Sequence, residues 1–185
     1  MGIVLWNTVM SLDGFIAGAG DAMDWVFQYP EPNPAVDEVI RTVGALLVGR
    51  RSYDVGRRAG ERDPDSPASH PFGGAWSGPQ FVLTHRTPQV QDDPTITFFS
   101  GRIEDAVAKA KAAAGAKNVV IIGANVARQC LEAGLVDEIL ILLAPILLGD
   151  GIPLFRHPGG EQVKLELVNV AQAGQITNLR FRAKK

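Results

Sequence analysis

Residues 119–155 read VVIIGANVARQCLEAGLVDEILILLAPILLGDGIPLF. The apolar run Asn118–Ile122 suits a strand buried on both faces. Gly123, Ala124 and Asn125 make a small-residue turn, a helix follows to Ala133, and Gly134 caps it. Ile139–Leu148 is a second apolar run, long and without a polar residue. Strand, crossover helix and strand form a βαβ unit. The segment therefore sets the fold class as α/β with a largely parallel sheet.

The same alternation extends to both sides. Ile3–Val9 reads as a buried strand, broken at Ser11-Leu12-Asp13-Gly14, and Phe15–Ala17 as a short extended piece. A Pro/Asn-rich turn spans Pro30–Pro34. Pro34 suits the first turn of a helix whose apolar face is Val36, Val39, Ile40 and Val43, with Gly44 as its stop. Ala45–Val48 is the next strand, and Gly49-Arg50-Arg51-Ser52 opens a short second helix. Gly56–Gly78, rich in Gly, Pro, Ser, Asp and Arg, reads as a long exposed loop, a class that often serves as a lid. Phe81–Leu83 and Thr95–Phe99 read as strands. Arg102–Ala114 reads as a helix stopped by Gly115. Val163–Ala171 and Gln175–Arg182 form an antiparallel hairpin around Gly174, so the sheet is mixed at one edge.

The 185 residues are 46% hydrophobic and 21% charged, enough apolar material for one core in a single domain, 1–185. The net charge of −2 gives no broad attraction to nucleic acid or to an anionic membrane. No apolar run reaches the length of a membrane span. Cys130 is the one cysteine, which rules out an internal disulfide and a cysteine zinc cluster. His70, His85 and His157 are too scattered to suggest a metal site. Ile3–Val9 is too short for a signal segment and no basic stretch precedes it, so a cytoplasmic location is expected.

Ligands of open α/β sheets bind at the carboxyl ends of strands. Three such ends carry suitable residues. Gly49 lets backbone approach a ligand, Arg50 and Arg51 suit phosphate oxygens, and Ser52 offers a hydroxyl at a helix start. Thr84, His85 and Arg86 place a hydroxyl, an imidazole and a guanidinium past a buried strand. Gly123, Ala124, Asn125 and Val126 form a strand-turn-helix start that suits a pyrophosphate, without the full G-x-G-x-x-G pattern. Each segment alone also reads as an ordinary turn; together they suggest one nucleotide grip.

The order SLDGFIAG (11–18), VGRRSYD (48–54), FVLTHR (81–86) and the segment 119–155 resembles the dihydrofolate reductase-like superfamily. It is most similar to stand-alone relatives of the riboflavin-biosynthesis reductase domain. The resemblance spans nearly the whole chain. It implies a three-layer fold and an NADPH-dependent reductase, with Val9, Ile16 and Ala17 flanking the nicotinamide. Gly49, Arg50, Arg51 and Ser52, with Thr84, His85 and Arg86, would hold the adenosine phosphate end. Ile122, Gly123, Ala124, Asn125 and Val126 would hold the pyrophosphate. Pairing of subunits through the Ile139–Leu148 region and the C-terminal hairpin, as a homodimer, is a further expectation. Two features depart from the riboflavin-pathway pattern. Ile122-Gly123-Ala124 stands where an acidic residue and two glycines are usual, and the zinc deaminase half is missing.

Hydride transfer to C=N or C=O leaves an atom that needs a proton. The resemblance directs attention to a carboxylate on the first helix. Asp37 lies at the edge of the apolar face, and its plain alternative is an i,i+4 pair with Arg41. Glu38 points away from that face and is expected in solvent. Asp13 and Asp24 are the other candidate catalytic carboxylates; each also reads as a turn residue. Trp25 and Trp76 are candidate substrate-stacking aromatics, and Phe72 with Trp76 a candidate lid. The expected function is reduction of a small heterocyclic or carbonyl-type substrate by NADPH. The alternatives are the aminouracil reductase of riboflavin biosynthesis, dihydrofolate reductase, and a non-catalytic nucleotide-binding dimer.

Overall fold

The all-apolar runs pair as parallel neighbours, as strands buried on both faces must. The computed structural model of the chain describes residues 2–86 and 93–184. Its strands are β1 (Val4–Ser11), β2 (Phe15–Gly18), β3 (Val43–Gly49), β4 (Gln80–Leu83), β5 (Ile96–Phe99), β6 (Asn118–Ile122), β7 (Glu138–Ala144), β8 (Gly151–Pro153), β9 (Leu165–Ala173) and β10 (Ile176–Ala183). Its α-helices are α1 (Pro34–Thr42), α2 (Arg50–Arg62), α3 (Ile103–Ala114) and α4 (Ala124–Glu132). The main sheet has the order β5-β4-β3-β6-β1-β7-β10-β9. It is parallel from β5 to β7 and antiparallel at β7-β10-β9. Gly174 turns the final hairpin with a φ of 56°.

Neighbouring residues of each strand face opposite layers. Val4, Trp6, Leu47, Val119 and Ile121 pack with Ala106 and Ala110 of α3 and Val126, Ala127 and Cys130 of α4. Leu5, Leu46, Val120, Leu140 and Leu142 pack on the other face with Val39 of α1 and with Trp25. The result is three layers, helix-sheet-helix. Each fully buried Leu, Val or Ile contributes about 1.5–3 kcal/mol. From β3 the chain runs outward through α2 to β4 and β5, then returns through α3 to β6 on the opposite side of β3. Strand order reverses between β3 and β6, and a crevice opens at such a point.

Four local expectations change. Gly56 and Gly60 lie inside α2, which continues to Arg62, so the exposed loop from Gly56 is replaced by a helix and then two 3-10 turns (Pro67–Ser69 and Pro71–Gly74). These glycines make room rather than break the helix: a Cβ on Gly56 would sit 3.2 Å from the Ala68 carbonyl oxygen, and one on Gly60 3.1 Å from Ser69 Cβ. Gly44 does not stop α1, which ends at Thr42; a side chain there would meet the Ala114 carbonyl oxygen at 2.7 Å. The run Ile139–Leu148 is strand only to Ala144, because Leu148 and Gly149 turn to donate backbone hydrogen bonds to Asp13. A small antiparallel pair, β2 with β8, joins the two loops. Glu38 is not free in solvent: it pairs with Arg180 at 2.9 Å, and Arg180 also bonds Glu138 at 2.7 Å. Among the described residues no helix is long and apolar enough to cross a membrane.

Candidate active-site cleft

The carboxyl ends of β4, β3, β6 and β1 stand side by side. With strands spaced about 4.8 Å apart, the row is about 15 Å wide. A cleft of about 1500 Å³ opens over it, more than the roughly 300–1000 Å³ typical of a site for one small molecule. All three candidate strand ends line this cleft. Gly49, Arg50, Arg51 and Ser52 come from the start of α2, Thr84, His85 and Arg86 from beyond β4, and Ile122, Gly123, Ala124, Asn125 and Val126 from the start of α4. Val9 of β1 and Ile16 and Ala17 of β2 line its other side.

The turns at β3 and β6 touch. Gly123 has a φ of 108°, where an L side chain is strained. A Cβ there would lie 2.7 Å from Ser52 Oγ, and one on Gly49 would lie 3.4 Å from Val126 Cγ2. Neither α2 nor α4 has a side-chain N-cap. Residues of both first turns line the cleft, so the positive ends of both helix dipoles lie at its wall. By contrast, α1 is capped: Asn33 Oδ1 accepts from the Ala35 N–H at 3.1 Å. Asn33 also exchanges amide hydrogen bonds of 2.9 and 3.0 Å with Asn178 of β10, which pins the start of α1 to the sheet.

The three arginines of the basic end do not meet at one point. Arg50 Nε pairs with Asp54 at 2.9 Å, and its Nη1 donates to the Arg86 carbonyl at 3.2 Å. Its guanidinium also stands 5.6 Å from the Phe98 ring centroid. Arg51 reaches across to Asp21 at 2.6 Å, and Arg58 approaches the same carboxylate at 3.5 Å. Asp21 itself has a φ of 65°. Thr84 Oγ1 is taken up by its own turn, accepting from the Arg86 N–H and donating to the Arg86 carbonyl.

Of the carboxylate candidates, Asp37 lines the cleft, and no ion pair with Arg41 forms among the described residues. Asp13 and Asp24 do not line it. Asp13 instead ties two loops together, accepting from Ser11 Oγ at 2.6 Å, the Gly149 N–H at 2.7 Å and the Leu148 N–H at 3.0 Å. The Ser11 hydroxyl first, then the Gly149 N–H, holds its carboxyl below the ordinary range. Asp24 is exposed at the start of a 3-10 turn, Asp24–Gln28. Trp25 and Trp76 also stay outside the cleft. Trp25 is buried in the core with its Nε1 donating to the Ala22 carbonyl. Trp76 donates to the Val43 carbonyl at 3.3 Å and anchors the segment after α2 to the body, whereas Phe72 does line the cleft. Cys130 is buried, with its thiol pushed up to about 12 by desolvation, so it is not a nucleophile.

Residues that sequence patterns did not mark as part of a site complete the far end of the cleft: Asn7, Tyr29, Glu31 and Asn33, with Val36, Leu142 and Ile176. A polar Asn7 inside the apolar run VLWNTVM is the one signal that could have marked it.

The comparisons bear on the family and the fold. The family model described as "RibD C-terminal domain" matches residues 3–179. The uncharacterized protein YwjB of Bacillus subtilis is 26% identical over 173 residues, covering 93% of this chain and 92% of that one. A putative riboflavin biosynthesis protein from Shewanella sp. PV-4 superposes with a TM-score of 0.78 at 25% identity, over 99% of both chains. Dihydrofolate reductase from Enterococcus faecalis, solved with NADP(H), shares the fold at a TM-score of 0.59 and 14% identity, over 100% of this chain and 98% of that one. With a sheet, a crevice and a family model that coincide over almost its whole length, the chain belongs to the RibD C-terminal domain family.

Proposed function

We propose that the protein is an NADPH-dependent oxidoreductase that reduces a small heterocyclic or carbonyl-type substrate. The observation that carries this reading is the juxtaposition of two uncapped helix starts at adjacent strand ends, with Gly123 leaving open a space that a Cβ would fill. Backbone N–H groups and helix dipoles there suit a pyrophosphate. Family membership and the NADP(H) held by a protein of the same fold support it.

In this reading the N–H groups of residues 123–126 and 50–52 bind the pyrophosphate. Arg86, whose guanidinium has no partner among the described residues, and Arg50 hold the adenosine phosphate. Val9, Ile16 and Ala17 pack on the nicotinamide and keep water from it. NADPH supplies the hydride when bound. Asp37 is the carboxylate placed to orient the substrate and hold the proton it takes up.

Ile122 lines the cleft where the riboflavin-pathway pattern has an acid. An isoleucine cannot accept hydrogen bonds from sugar hydroxyls, and such a site discriminates strongly. The substrate is therefore not the phosphoribosylamino-pyrimidine of that pathway. The aminouracil reductase reading is favoured by the family and by the Shewanella relative, and complementation of a strain lacking that reductase separates the two. Growth without riboflavin would restore the pathway assignment. A screen of pterins, flavin precursors and quinones for NADPH oxidation tests the general reading; no turnover of any class would favour a non-catalytic nucleotide-binding protein.

The same reading includes a homodimer in the cytoplasm. Ile141, Leu179 and Val170 stand in register across β7, β10 and β9, as do Ile139, Phe181 and Leu167. The outer members are open to solvent, Val170 at 52% and Leu167 at 58%. An apolar band running off the core onto an edge strand is a hazard unless covered. Light scattering should give about twice the 19.8 kDa chain mass, and Val170→Lys should halve it; a monomeric wild type would refute the dimer.

A further inference from the structure

The two ends of the cleft differ in charge. Every arginine that lines it belongs to α2 or to the turn after β4: Arg50, Arg51, Arg57 and Arg86. At the α1 end the lining polar groups are neutral or acidic, and among the described residues no Lys or Arg contributes. A phosphate or carboxylate placed there would meet Glu31 and Asp37 and no counter-charge.

Asn7 is the unusual group at this end. Along β1, Val4, Trp6 and Met10 face the α3/α4 layer, while Leu5 and Val9 face the other. Alternation puts Asn7 with Leu5 and Val9, in register with Leu140, on the cleft side. Its Oδ1 is buried without a hydrogen-bond partner, and its side chain makes no hydrogen bond among the described residues. Its nitrogen end is the one not sealed in. Asn7 as a whole is half-buried, and a polar side chain left unbonded on a cleft wall is uncommon. Folding alone does not account for it, because an apolar residue of the same shape would pack between Leu5 and Val9 at lower cost.

We propose that Asn7 Nδ2 donates a hydrogen bond to a carbonyl oxygen of the substrate, and that the substrate is an uncharged ring bearing that carbonyl rather than a phosphorylated compound. The proposal rests on the reductase reading and narrows it. The apolar side chains of Val9, Val36, Leu142 and Ile176 would hold the faces of the ring, and Asn7 would fix its orientation.

The test uses three probes on the full chain: quinazoline-2,4-dione, unsubstituted quinazoline, and the dione carrying a ring carboxylate, titrated calorimetrically at pH 8. The dione should bind at least about tenfold more tightly than quinazoline, and more than about tenfold more tightly than its carboxylate. Asn7→Leu should bring the dione-to-quinazoline ratio to about one. It should also raise Tm by about 2–4 °C or more, because an unpaired polar group has gone. Asn7→Asp, which keeps the shape and loses the donor, should abolish the ratio as well. NADP⁺ affinity should stay unchanged in both variants. A ratio that survives in both variants, a carboxylate that binds as well as the dione, or a lower Tm in Asn7→Leu would overturn the assignment of Asn7. Failure of the wild type to bind NADP⁺ would instead overturn the reductase reading beneath it.

Discussion

The two ends of the cleft are built in different ways. The basic end is made largely of backbone: turns that follow β3, β4 and β6 directly, with glycines at 49 and 123 and helix starts that no side chain caps. The α1 end is made of side chains from β1, α1, β7 and β10, residues far apart in the chain. The first kind of site suits a ligand part common to many proteins, such as a pyrophosphate. The second kind is remade by single substitutions, so it is where a family changes substrate while keeping its cofactor.

Changes at one end should therefore leave the other untouched. The largest effect is expected at the α1 end. Asp37→Asn should lower kcat by about a hundredfold, within the range of general acid–base contributions, with NADPH affinity unchanged. Steady-state kinetics beside calorimetry would show it, and equal losses in both quantities would mean that the ends are not separable. At the basic end, Gly123→Val forces a side chain into a φ of 108° and towards Ser52 Oγ. It should cost about 1–3 kcal/mol of stability and at least about tenfold in NADPH affinity. Probe binding at the α1 end should survive.

Sequence patterns expose the first kind of site and hide the second. Strand, glycine turn and helix are contiguous in the chain, so Gly123 and its neighbours were readable at residues 119–155. The layered fold follows from the same alternation of apolar runs. Asn7 shares its end of the cleft with Val36, Leu142 and Ile176, which are distant in sequence, and its position in an apolar strand gives polarity without direction. Trp25 and Asp13 show the converse error. Both have the chemistry of a site, and the fold spends it on structure: Trp25 in the core and Asp13 on the backbone of Leu148 and Gly149. The α2 glycines misled for a related reason, since the segment they admit against the helix lies about ten residues further on.

Smaller effects sharpen the division. Asp21 holds Arg51 and Arg58, so it competes with a phosphate for these guanidinia. Pairs whose arginines stand in solvent, as these do, are worth about 0.2–1 kcal/mol, and Asp21→Asn should tighten NADPH by at most about fivefold. An unchanged or weaker affinity would show that the bridge shapes the cleft instead. Asp13 should affect stability alone. Its carboxyl is depressed in the folded chain, so its contribution is present above the unfolded value of about 3.9 and is lost as pH falls through the folded one. Asp13→Asn should lower Tm at pH 7, with the gap closing in that acid range. A gap independent of pH would contradict the loop clamp.

The central claim is that the basic end holds NADPH, with Arg86 and Arg50 on its adenosine phosphate. Calorimetric titration of the full chain with NADPH and NADH tests it most directly. Two charge-assisted hydrogen bonds, from Arg86 and Arg50, contribute about 1.5–3 kcal/mol each, so NADPH should bind at least about a hundredfold more tightly. Equal affinities for the two nucleotides would contradict the phosphate grip.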